Sequence, residues 1–211
     1  PKSALVVVEN TCNKGGGAIY KTDELKSIKA ICQKHGMKYH VDGARLFNAL
    51  VETSESPSSY GDIFDSISIC LSKGLGAPVG SLLLGSKADI KKARRIRKSM
   101  GGGMRQAGYL AAAGIYALDN HIDRLKIDNE HARAIGQVLS ELSYITDVRP
   151  VESNILIFDI EESLDVPTFL QKLQSKGIQA VQFGPQSIRF VLHLDVSSTM
   201  VDKVIATLRN L

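Results

Sequence analysis

What this sequence lacks narrows its class first. No apolar run approaches the ~20 residues needed to cross a bilayer, so no membrane partner is expected. No basic leader followed by an apolar core is present, and nothing marks the chain for secretion. Cysteine is scarce: Cys12, Cys32 and Cys70 are odd in number, far apart and without CxxC spacing. That argues against a disulfide framework and a structural zinc site, so no metal is expected, and it favours a reducing cytoplasm. A phosphate loop of the form GxxxxGK(S/T) is also missing, which leaves a plain nucleotide-binding α/β domain as a distant reading. Strong net charge is absent too, at +4. Its densest source is Lys91, Lys92, Arg94, Arg95, Arg97 and Lys98. Ala93 and Ile96 interrupt that run at helical spacing and no aromatic residues interleave. A solvated helix face explains it better than a nucleic-acid surface, so no nucleic-acid partner is expected.

What is present fits a globular protein. A 44% hydrophobic and 23% charged composition argues against disorder, and 211 residues allow one or two domains with substantial cores. The chain opens on Pro1 and runs straight into the apolar stretch Ala4 to Val8. Soluble domains seldom begin so abruptly, so the expectation is a removed leader or the later part of a longer protein.

Ala4 to Val8, rich in β-branched residues, predicts a buried strand. A loop from Asn10 to Tyr20 carries Gly15, Gly16 and Gly17. Thr22 is the expected N-cap of a helix with Leu25, Ile28, Ile31 and Cys32 on one face, closed by Gly36. Lys38 to Val41 predicts a strand delivering Asp42 at its carboxyl end. A helical start at Ala44 to Val51 gives way to a Ser/Pro/Gly-rich loop up to Gly61. Ile63 to Leu71 predicts the strand that delivers Ser72 and Lys73 into a Gly-rich turn, and Val79 to Leu84 a return strand. Asp89 to about Leu142 reads as helical, interrupted by Gly101 to Gly103, with a close-packing Ala-rich helix at Ala107 to Leu118. Strands are expected at Ile155 to Ile160, Ile178 to Val181 and Ser187 to Leu192, and helices at Val166 to Ser175 and Ser198 to Leu211. The fold class is α/β, a mostly parallel sheet with helices over residues 1–125, followed by a small α+β domain over 126–211.

Three features carry chemistry. Ser72-Lys73-Gly74-Leu75-Gly76 follows a strand, where a lysine is either a solvated charge or an amine held among apolar walls, as a Schiff-base lysine must be. His40-Val41-Asp42-Gly43-Ala44-Arg45 ends another strand. Asp42 is either a helix N-cap or a carboxylate aimed at a pyridinium nitrogen, one strand away from Lys73. Arg45 and Arg189 form the third feature. Arg189, flanked by Ile188, Phe190 and Val191, either snorkels at an edge or belongs to an anion site.

The stretches VENTCNKGGGAIY, HVDGARLFNA, LSKGLGAPVGSLLLGS, RRIRKSMGGGMRQAG and RFVLHLDVS together resemble the low-specificity L-threonine aldolases. The resemblance runs in order from about residue 5 to the C-terminus. It implies the aspartate-aminotransferase-like, fold-type-I architecture and the cofactor pyridoxal 5'-phosphate. It implies Lys73 as the Schiff-base lysine and Asp42 as the partner of the pyridine nitrogen. Arg45 and Arg189 are implied as ligands of an amino-acid substrate's carboxylate, Arg105 as a residue near the cofactor phosphate, and Ser72 as a further cofactor contact. The implied reaction is retro-aldol cleavage of threonine or allo-threonine to glycine and an aldehyde, in a homodimer or a tetramer built from dimers. A β-eliminating amino-acid lyase would use the same lysine and aspartate, and a non-catalytic fragment is the third reading. The sequence departs from the family at Cys12, where histidine is usual. The family's phosphate loop and ring-stacking histidine lie upstream of Pro1; His35, His40, His121, His131 and His193 do not replace them by motif.

Overall fold

The computed structural model describes residues 1–211, which divide into two compact units. The first holds residues 1–11 and 20–123; the second holds residues 12–19 and 124–211. The loop 12–19, expected with the first domain, belongs with the second. Three tethers account for it: Arg149 Nη1 donates to the Lys14 carbonyl (2.8 Å), Ser153 Oγ to the Gly17 carbonyl (2.8 Å), and the Ile19 N–H to Glu152 (2.8 Å).

In the first unit the elements run β1 (Leu5–Glu9), α1 (Thr22–Lys34), β2 (Lys38–Gly43), α2 (Leu46–Thr53), α3 (Pro57–Ile63), β3 (Ser66–Cys70), β4 (Ser81–Gly85), α4 (Lys87–Ser99) and α5 (Gly108–Asn120). The sheet order is β1-β2-β3-β4. The first three strands are parallel, with Asp42 beside Glu9 and Ser68, and β4 returns antiparallel to β3. Alternation along β2 and β3 sends Tyr39, Val41, Ile67 and Ile69 into the core, where Leu25 and Cys32 of α1 and Tyr60 and Ile63 of α3 are also buried. Tyr39 and Phe64 rings pack 4.4 Å apart there.

Several expectations need correction. Lys21, not Thr22, is the N-cap position of α1, and the Thr22 hydroxyl instead bonds Glu55. Ile31 lies on the open side of α1. The Ser/Pro/Gly-rich loop contains α3, because Ser56 Oγ caps the Ser58 N–H and Pro57 sits in the first turn, where its missing N–H costs nothing. Strand β1 is buried on one face only: Val8 joins the core, but Leu5 is 52% and Val7 55% exposed. It is an edge strand paired only with β2, and the face bearing those two residues is open. All five residues of β4 are exposed. The Ala-rich helix α5 buries only Gly114 and Ala117, so its close packing is confined to one narrow stripe.

The second unit contains α6 (Leu125–Leu139), β5 (Ile145–Val148), β6 (Ile155–Ile160), α7 (Val166–Ser175), β7 (Val181–Gln182), β8 (Ser187–Val191) and α8 (Ser198–Leu208). The sheet order is β5-β6-β8-β7, with every pair antiparallel. Its core joins Ile135 and Leu139 of α6, Leu156 and Phe158 of β6, Phe169 and Leu173 of α7, Ile188 and Phe190 of β8, and Val201 and Leu208 of α8. Strand β5 was not anticipated, and the expected strand Ile178 to Val181 gives way to the two-residue β7, which shares only Val181 with it. No helix is long and apolar enough to cross a membrane.

Candidate active site

In the first unit, β2 and β3 carry Asp42 and Lys73 to neighbouring carboxyl ends of a parallel pair. Such edges are where ligands bind in open α/β sheets, because the chain turns away from each strand end and leaves a crevice. The Asp42 carboxylate is exposed, and one of its oxygens, Oδ1, makes both of its contacts. It accepts the Ala44 N–H at 3.1 Å and the Ser68 hydroxyl at 3.4 Å. Asp42 thus ties the turn into α2 while Oδ2 remains available to a further donor. Arg45 occupies the N-cap position of α2 and is half-buried.

Lys73 lies in a turn built by its neighbours. The Gly76 N–H donates to the Lys73 carbonyl (2.9 Å), and Gly76 takes φ +71°, the left-handed region that glycine adopts without a Cβ clash. The Ala77 N–H donates to the Leu71 carbonyl and the Leu71 N–H to the Gly80 carbonyl, each at 2.9 Å. Helix α5 braces this turn twice. His121, at its C-cap, places Nδ1 2.6 Å from the Leu75 carbonyl, and Gly114 lets the helix approach Leu71. Lys73 and Ser72 are both exposed. Ser72 Oγ lies 3.4 Å from Cys70 Sγ. Arg105 is exposed in the turn after α4, the segment that also holds Gly101 to Gly103.

In the second unit, alternation along β8 turns Ile188 and Phe190 inward and Arg189 to the other face, half-buried. The Arg189 guanidinium donates from Nη1 to Asn13 Oδ1 at 2.9 Å, and its Cζ lies 5.3 Å from the centroid of the Phe183 ring. No carboxylate pairs with it, and its Nε is buried without an acceptor. It borders a cavity of about 560 Å³ that Gln174, Val181, Val191 and His193 also line. A half-buried guanidinium whose only hydrogen-bond acceptor is a neutral amide retains donors for an anion, in the fork geometry that suits a carboxylate. Sequence reasoning missed Asn13, Phe183 and Arg149. Asn13 lies in the Gly-rich loop from Asn10 to Tyr20, but no local pattern links that loop to Phe183 or Arg149.

A family model described as Beta-eliminating lyase matches residues 1–163. Low-specificity L-threonine aldolase 1 of Arabidopsis thaliana is 36% identical over 95% of this chain and 57% of its own length. The low specificity L-threonine aldolase of Escherichia coli is 40% identical over 97% of this chain and 59% of its own. The chain therefore spans less than two thirds of the length of these relatives. The solved threonine aldolase of Leishmania major, 22% identical, superposes with a TM-score of 0.79 over 98% of this chain and 60% of that one. That likeness shows the shared fold, the one the resemblance implied. By the match over residues 1–163, the chain belongs to the Beta-eliminating lyase family.

Proposed function

We propose that this chain is part of a pyridoxal-phosphate lyase that cleaves threonine or allo-threonine to glycine and an aldehyde. The observation that carries the reading is the pairing of an exposed lysine and an exposed carboxylate at adjacent parallel strand ends, Lys73 after β3 and Asp42 on β2. Those groups fit the cofactor's chemistry: a primary amine for its aldehyde, and a carboxylate with an uncommitted oxygen for its pyridine nitrogen. When bound, pyridoxal phosphate supplies an electron sink for the pair of electrons left when a bond to the substrate's Cα breaks.

The chain's own residues then have separate tasks. Lys73 would hold the cofactor through Nζ, and its braced turn fixes where that amine begins. Asp42 would keep the proton on the pyridine nitrogen, since a carboxylate anchored by Ala44 and Ser68 cannot swing away. Ser72 and Arg105 would meet the cofactor, Arg105 at its phosphate. In the first unit Arg45 is a proposed ligand of the substrate carboxylate. In the second unit Arg189 is a proposed carboxylate ligand as well, supported by its lack of an anionic partner. The threonine aldolase names of the relatives at 36% and 40% identity support the substrate class. A β-eliminating amino-acid lyase is the second reading, favoured by the description of the family model. The working form we propose is a homo-oligomer, supported by the exposed Tyr109, Ile115 and Tyr116 of α5. Its setting is the reducing cytoplasm, in keeping with three free cysteines.

Borohydride reduction in the presence of pyridoxal phosphate, followed by intact mass measurement, tests the cofactor role. A cofactor-sized mass increase is expected, and Lys73→Ala should lose it. The same increase in that variant would overturn the assignment. Glycine and acetaldehyde from threonine support the aldolase. Release of a β leaving group, with threonine left uncleaved, would favour the second reading.

A further inference from the structure

Arg189 does not stand alone on its face of the second unit. The Phe183 ring lies 5.3 Å from the Arg189 Cζ and 5.9 Å from the Arg149 Cζ, so one aromatic ring serves two guanidinium groups. Each of those groups also donates to the loop 12–19: Arg189 to the Asn13 side chain at 2.9 Å, and Arg149 to the Lys14 carbonyl at 2.8 Å. Phe183 is itself fixed at the turn between β7 and β8, where its N–H donates to the Ser187 carbonyl at 2.8 Å. A ring face attracts a cation and restricts the tilt of a planar guanidinium. A neutral amide oxygen on Nη1 fixes its rotation without neutralising its charge. An aspartate at the same place would have occupied the arginine permanently.

We infer that Phe183 and Asn13 are positioning residues for Arg189: the ring sets the plane of the guanidinium, and the amide sets its rotation, so that its remaining donors meet an incoming carboxylate preorganised. Arg149 makes the arrangement stiffer, because it anchors the same ring and the same loop. Side-chain entropy that a mobile arginine would lose on binding is then already spent in folding. The inference rests on the reading of Arg189 as a carboxylate ligand, and it names the residues on which the affinity of that ligand depends.

Sodium acetate, the simplest carboxylate, is the probe. The test follows the Arg189 Nε–H cross-peak of the ¹⁵N-labelled full chain, identified by its loss in Arg189→Lys. Acetate should shift that peak saturably. Phe183→Leu, which keeps apolar bulk but removes the ring, should weaken acetate binding about two- to fivefold, and Phe183→Tyr should restore it. Asn13→Asp should weaken it about tenfold or more, because the new carboxylate competes from within. A Phe183 variant that loses its dispersed amide spectrum passes the decision to Asn13→Asp, which leaves the ring in place. If acetate never moves the Arg189 peak, the carboxylate reading of Arg189 falls and the inference with it. If acetate binds, and binds Phe183→Leu and Asn13→Asp as tightly as the unmodified chain, the positioning role alone is overturned.

Discussion

Behind Asp42 there is almost no room, and Gly43 is the reason the strand end can exist. A Cβ at position 43 would lie 2.7 Å from the Ser68 carbonyl oxygen and 3.0 Å from Leu46 Cβ. The first neighbour is backbone of β3 and the second is fixed in the first turn of α2, so neither is a flexible tip that can step aside. Gly43→Ala should therefore push β2 from β3 and cost about 1–3 kcal/mol, the usual range for overpacking a close contact. It should also disturb the Ser68 contact that helps hold Asp42. The urea midpoint measures the first effect, and an unchanged midpoint would show that the strands yield without strain. The motif around this glycine was legible in the sequence, because β-branched and aromatic residues end abruptly at Asp42. The surroundings of Arg189 were not. Asn13 and Arg189 are 176 residues apart, and no local pattern announces a contact of that range.

At the scale of elements, glycine and proline misled where their position within a helix mattered more than their identity. Ser56, Pro57 and Gly61 read as loop punctuation, yet Ser56 caps α3, Pro57 opens it and Gly61 sits inside it. Nothing lies within 4 Å of a Cβ built at Gly61, and its φ is not positive. Gly61→Ala should then stabilise the protein by about 0.5–1 kcal/mol, through the reduced freedom of the unfolded chain and the better helix propensity of alanine. A rise in the urea midpoint is expected, and a fall would mean that α3 needs glycine for a reason its geometry does not reveal. Burial was also illegible for β1. The apolar run Ala4 to Val8 predicts a buried strand, but β1 is an edge of its sheet, and Leu5 and Val7 remain exposed. By contrast α7 has the bounds expected of it, because Asp165 caps the Thr168 N–H at 2.9 Å and Pro167 stands in its first turn.

At the scale of the whole chain, each unit carries groups that respond to acid and groups that respond to base. In the first unit, Asp65 is pushed upward by burial. Several opposing contacts together outweigh it and hold the carboxyl below its ordinary value: the Tyr39 N–H at 2.8 Å, Lys29 at 3.1 Å and Lys38 at 3.2 Å. In the second unit, the Thr168 hydroxyl and N–H hold Asp165 below its ordinary value. A carboxyl depressed in the folded state adds stability above its unfolded pKa of about 3.9 and loses it as pH falls through the folded value. Base acts through tyrosine. Burial pushes the Tyr60 hydroxyl from its ordinary 10.0 up to about 12 in the first unit, and does the same to Tyr144 in the second. A group raised in this way contributes fully below pH ~10 and loses its contribution as pH rises toward its folded value. The urea midpoint should accordingly fall below about pH 4 and again above about pH 10. Asp65→Asn should lower the neutral-pH midpoint and flatten the acid limb, because the amide cannot bind Lys29 and Lys38 as an anion does. Tyr144→Phe should flatten part of the alkaline limb at the cost of the hydrogen bond from its hydroxyl to the Leu208 carbonyl (2.5 Å), which links the start of β5 to the end of α8. Midpoints measured at pH 9 and pH 11 decide the alkaline half. Equal values would mean that ionised tyrosines are accommodated in both cores, contrary to what their burial requires.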